Sequence, residues 1–162
     1  MKKVEVTEES IKTAMAAAGD AMIKSLFGNG SGNAEAPVSN ASNPSLPITD
    51  RVKSFEDACS VLGITPESVL NKGDAKDEVA YKKIKVIVCA LNEGWKPDYN
   101  DANQAKYYPY FNHSGGGFSY NTWNSHYDHS NVGSRLLLKS STLVTYSGNQ
   151  FLDIYKDLQT ND

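Results

Sequence analysis

The chain has 162 residues, 40% hydrophobic and 22% charged, with a formal net charge of -3. That length holds one ordinary domain with a core plus a tail, and the charge gives no electrostatic reason to expect a polyanion partner. No run of eighteen apolar residues predicts a membrane span, and the opening MKKVEVTEES has two lysines without the apolar run of a secretory signal.

From Thr7 to Phe27, Ile11, Met15, Ala18, Met22 and Leu26 recur at helical spacing behind Thr7 or Ser10 as cap. Residues 1–27 are therefore expected to form an amphipathic helical segment. The stripe is narrow and rich in Ala and Met, so such a helix is marginal alone and suits docking to an assembly or to copies of itself. Residues 28–47, GNGSGNAEAPVSNASNPSLP, have three prolines and no aromatics, the composition of a flexible tether. A compact domain is expected over residues 48–162.

Ser54 followed by Asp57 is a capping-box pattern, and Gly63 stops that helix after Leu62. Thr65-Pro66-Glu67 predicts a second, short helix ending near Asn71 to Gly73. The third helix is the strongest element. Val79, Ala80, Ile84, Ile87, Val88, Leu91 and Trp95 share one face, with Gly94 at the C-terminal cap and Lys82, Lys83 and Lys85 on a solvated side. Cys59 and Cys89 sit among apolar residues and read as buried free thiols, with a disulfide as the alternative.

Pro97 ends helical structure. Strands are expected over Lys106 to Asn112, Phe118 to Trp123 and Ser134 to Lys139, with Gly115-Gly116-Gly117 as a turn between the first two. Ser140-Ser141-Thr142 then offers caps for a last helix in which Phe151, Ile154, Tyr155 and Leu158 share a face, while Gly148 weakens its first turns. The fold class is α+β: short N-terminal helices, one long amphipathic helix, a small antiparallel β-sheet and a C-terminal helix.

Half of the aromatic residues and all three histidines fall between Tyr107 and His129, in YYPYFNHSGGGFSYNTWNSHYDH. Tyr107 and Phe111 are expected to face one side of a strand and Tyr108 and Tyr110 the other, with one set packed on the third helix. The segment Asn112 to Asn131, rich in Gly, Ser and Asn, reads as a partner-contact loop carrying Trp123, His126, Tyr127, Tyr120 and Asn124. A protein or a glycan is the expected partner.

Single-stranded nucleic acid is the rival partner, since bases stack on Tyr and Trp. Phosphate contacts require cations, and the nearest, Lys106, Arg135 and Lys139, lie at the edges. A small metal-dependent enzyme is a further alternative, with His113, His126 and His129 as its weak ligand set beside Asp128. No helix fixes that set, no HExxH is present, and neither a G-x-S-x-G elbow nor a phosphate-binding loop after a strand occurs. A non-enzymatic protein without cofactor is expected.

The blocks LNEGWKPDYN (91–100), KYYPYF (106–111), GFSY (117–120), VGSRLLLKS (132–140) and QFLDIYKDL (150–158), in this order, resemble a family of small uncharacterised proteins from gut Bacteroidota and their bacteriophages. The resemblance spans about residues 49–158 and leaves out the first 48. It implies a phage or mobile-element setting, in the cytoplasm of a bacterial host or in a virion, and brings no activity with it. The chain departs from the family pattern in SSTLVTYSGN, a poorer helix former than the acidic, Ala-containing start of the last helix in its relatives.

Overall fold

The structure, a computed structural model, describes residues 40–127 and 134–160. The helix expected over 1–27 and most of the expected tether lie outside these residues, as do Asp128, His129 and residues 130–133. The folded unit starts earlier than position 48. Asn40–Ser42 forms a 3-10 turn, and Ala41 is buried, with its carbonyl accepting from Arg51 Nε at 3.2 Å.

Five α-helices and two strands follow: α1 (Ile48–Arg51), α2 (Phe55–Leu62), α3 (Lys76–Asn92), β1 (Lys106–Asn112), β2 (Ser119–His126), α4 (Ser141–Gln150) and α5 (Leu152–Gln159). The molecule is α+β with an antiparallel pair and a C-terminal helix, as the sequence pattern predicts. No helix among the described residues is long and apolar enough to cross a membrane.

Local chemistry accounts for the helix ends. In α2 the Ser54 hydroxyl accepts from Asp57 N at 3.0 Å, the Asp57 carboxylate accepts from Ser54 N at 3.1 Å, and Gly63 closes the helix in the left-handed region. In α4 Ser140 Oγ accepts from Leu143 N, so the helix starts where the cap residues stand despite the weak helix formers behind them.

Several expectations are corrected. Thr65-Pro66 starts only a 3-10 turn, Pro66–Ser68, because Thr65 makes no side-chain cap bond and Asn71-Lys72-Gly73 leaves no room to propagate. The left-handed residue ending α3 is Glu93 (φ 49°), one position before Gly94, with its carboxylate 2.9 Å from Lys139 Nζ. The last helix is two, broken at Phe151 (φ -114°, ψ 30°), and the break carries the Phe151 ring into the core beside Tyr155.

The third strand does not form. Ser134–Leu136 is a 3-10 turn, and only Leu138 pairs with β1, through Tyr107 N to Leu138 O (3.1 Å) and Leu138 N to Tyr107 O (2.8 Å). The groups on the other edge of this segment are taken by one buried side chain. Asn92 Nδ2 donates to Leu137 O at 2.8 Å, and Asn92 Oδ1 accepts from Lys139 N at 3.0 Å. An amide at the end of α3 thus stands where a neighbouring strand would.

The core centres on α3. Ile84, Ile87 and Leu91 are fully buried and join Phe55, Ala58 and Cys59 of α2, Leu138, Val144 of α4, and Phe151 and Tyr155. Cys59 is buried and free, whereas Cys89, expected inside, is exposed because it lies on the flank of α3 away from that seam. Of the three expected solvated lysines, only Lys85 is exposed. Lys82 pairs with Asp74 at 2.6 Å, holding that carboxyl below its usual range, and Lys83 lies over the Phe55 ring.

Candidate functional site

The aromatic stretch folds into a ribbon. β1 and β2 pair from Lys106–His126 to Asn112–Ser119, joined by the turn of residues 113–118. Much of the segment expected as a loop is therefore strand. Its register sets two faces: Tyr107, Pro109 and Phe111 on one, and Lys106, Tyr108 and Tyr110 on the other, beside Thr122, Asn124 and His126. A bulge at Asn121 lets Phe111 oppose Tyr120 while Tyr110 opposes Thr122.

The ribbon packs chiefly on α4 rather than on α3. Phe111 stacks on Phe118 and lies against Tyr155, both with centroids at 4.8 Å, and meets Tyr120 edge-on at 6.1 Å. Tyr120 in turn covers Gly148 of α4 and reaches Thr145 Oγ1 with its hydroxyl at 3.1 Å. A Cβ at position 148 would sit 2.6 Å from Cε2 of the Tyr120 ring. Gly148 therefore creates the seat of the ribbon, a role hidden in the sequence behind its low helix propensity.

At the other end, Lys106 is completely buried. Its ammonium donates to the carbonyls of Tyr127 (2.6 Å), Gln104 (2.8 Å) and Asp101 (3.3 Å), and lies 5.3 Å from the centre of the Tyr99 ring. Three main-chain acceptors and an aromatic face replace water around this charge. The lysine ties the last described residue of the hairpin to the loop before β1, and it presents nothing to a phosphate. Lys139 is likewise engaged, with Glu93.

The sequence-derived contact residues separate into two groups. Tyr120 is committed to α4, and His126 lies between Tyr99 (6.5 Å, interplanar 18°) and Tyr108 (5.6 Å). Trp123, Asn124 and Tyr127 are exposed, Trp123 at 42% and Tyr127 at 48% with Tyr107 edge-on to Trp123 at 5.4 Å. Tyr110, which the sequence pattern does not distinguish from its neighbours, is the most exposed of these rings at 55%. Only the register, which turns it away from α4, reveals it.

His113 and His126 are held apart. His113 follows the end of β1, hydrogen-bonded to Gln159 Oε1 at 3.3 Å and edge-on to Phe118, whereas His126 pairs with the first residue of that strand. The six strand steps of ~3.4 Å from Lys106 to Asn112, with His113 one residue further, place them more than roughly 20 Å apart along the ribbon. His129 lies outside the described residues, and no group of three His, Cys, Asp or Glu suited to a metal occurs among the described ones.

Comparison with protein-family models, with curated proteins and with solved structures finds no match.

Proposed function

We propose that the chain is a non-enzymatic, phage-type accessory or virion-associated protein that docks a protein or glycan partner on the exposed rings of the aromatic hairpin. The phage setting rests on the segment resemblance alone. The observation behind the docking is that Tyr110, Trp123 and Tyr127 stand in solvent on a ribbon secured by other residues, Phe111, Tyr120 and Lys106. Exposed rings on a held scaffold gain contact area on binding at little cost in side-chain entropy.

The outer strand adds main-chain capacity. Among the described residues β2 pairs only with β1, and its sequence SYNTWNSH contains no charge and no proline. Edge strands usually carry such residues to prevent further pairing, and here the bulge is the one such device. The free edge suits an extended segment of a protein partner, or the hydroxyls of a glycan between the rings.

The test is affinity capture from native or infected cells with the unmodified protein and with the Trp123→Ala/Tyr127→Ala double variant, alongside a glycan array. A partner held by the first and lost by the second, at an unchanged melting temperature, supports the reading. Equal retention by both proteins sinks it.

A further inference from the structure

Away from the hairpin's outer surface, the structure contains a cavity of about 630 Å³ along the flank of α3, within the range of small-molecule sites. Its walls are mainly apolar: Leu62 at the end of α2 and Ile64 just after it, Val86 and Val88 of α3, and Trp95 and Leu137. Ile64 stands 37% exposed there, and the Cys89 thiol opens into the same space.

Among the described residues, the charged ones lining the cavity are Lys85, Lys96 and Arg135, and no carboxylate lines it. Elsewhere in the domain Arg51, Lys53, Lys76, Lys82 and Lys139 stand in ion pairs, and Lys83 and Lys106 lie over aromatic rings. The side chains of Lys85, Lys96 and Arg135 have no ion-pair or ring partner among the described residues. In a chain of net charge -3, three uncompensated cations around one apolar hollow form a local field of opposite sign to the whole.

We infer that this cavity binds a small amphiphile: an apolar body against Leu62, Val86, Trp95 and Leu137, and one anionic head group, such as a carboxylate, held by Lys85, Lys96 or Arg135. Apolar burial supplies the affinity. The cations select the head, because a positive or neutral head leaves them uncompensated. This site is separate from the exposed rings of the hairpin, although Tyr99 of its wall also lies against His126 and Lys106.

Two residues report on it without a known ligand. Cys89 is exposed in the cavity, whereas burial pushes the Cys59 thiol up, so a thiol reagent labels Cys89 first. The chain has two tryptophans, and Trp123→Phe leaves Trp95 of the cavity wall as the single emitter. The probes are dodecanoate and dodecyltrimethylammonium below their micelle concentrations and dodecanol below its solubility limit, on the full chain. Dodecanoate should protect Cys89 and shift Trp95 emission saturably at one per chain, while the cationic analogue does neither. Arg135→Glu and Lys96→Glu, both at exposed positions, should each weaken dodecanoate by about tenfold. Equal binding of all three head groups, or charge-reversal variants that bind dodecanoate as the parent does, would overturn the assignment, as would absence of saturable protection in the unmodified protein.

Discussion

Tyr110 and Phe111 are adjacent in β1, yet one is 55% exposed and the other 7%. They exemplify two populations of rings within one ribbon. The inner set, Phe111, Phe118 and Tyr120, meets Tyr155 and Gly148 and belongs to the core. The outer set is defined by exposure rather than by face: Tyr110 on one face, Trp123 opposite Pro109 on the other, and Tyr127 just beyond β2, each with solvent in place of a helix. Aromatic content alone therefore does not mark a binding surface. What the structure adds is the difference between rings that secure the ribbon and rings the ribbon merely presents.

The sharpest way to break this comparison is to truncate one ring from each set. Phe111→Ala should lower stability by about 3–5 kcal/mol in denaturant unfolding, because three neighbouring rings lose their contact. A loss of under about 1 kcal/mol would place Phe111 with the outer set.

The inner set can also be tested by pH. Tyr155 is buried and its phenol is pushed up to about 12 from 10.0 by loss of solvation, against the lowering effect of the Ser147 hydrogen bond. Between these values the unfolded chain releases this proton and the folded chain keeps it, so stability falls as pH rises. The contribution is complete below pH 10 and lost by about pH 12, and two pH units correspond to about 3 kcal/mol at most. Tyr155→Phe, although it loses the hydroxyl bond at neutral pH, should reduce this alkaline decline, leaving the part carried by Tyr146, whose phenol burial also pushes up to about 12. An unchanged slope would show that Tyr155 is not the group titrating.

Gly148→Ala comes next, and its sign decides between two physical effects. Helix propensity alone predicts a gain of up to about 1 kcal/mol. The Tyr120 ring leaves no room for the added methyl, so a loss of about 1–3 kcal/mol is expected instead. In a Tyr120→Ala background the same change should cost much less, and additive effects would remove the contact from the account.

The smallest effects belong to the outer set. Tyr110→Ala and Trp123→Ala should each change stability by no more than about 0.5–1 kcal/mol, although both are large apolar truncations. Thermal melts at equal protein concentration measure this. A Trp123→Ala loss comparable to that of Phe111→Ala would merge the two populations.

Much of the fold was legible locally. The Ser54–Asp57 box, the Gly63 stop, the Ser140 cap and the apolar face of α3 all act within one or two turns, where spacing determines geometry. The two strands around the Gly-rich turn were legible for the same reason. The third strand was misread because Leu136-Leu137-Leu138 looks like a buried strand whether its outer edge meets a strand or the Asn92 amide. Exposure was partly legible: Trp123, Asn124 and Tyr127 were expected in a contact loop and are exposed, while Tyr110 looked like any other strand tyrosine.

The sequence by itself thus determined the long helix, the strand pair, several helix ends and the concentration of aromatic residues in one ribbon, all properties of neighbours along the chain. Tertiary structure alone decided which of those rings became core, through the seat at Gly148, 28 positions beyond Tyr120. It also brought Lys85, Lys96 and Arg135 around one apolar cavity in an anionic chain. The physical reason is common to both. Burial and electrostatic potential depend on distance in space, and the residues that set them here lie in separate segments that meet only on folding.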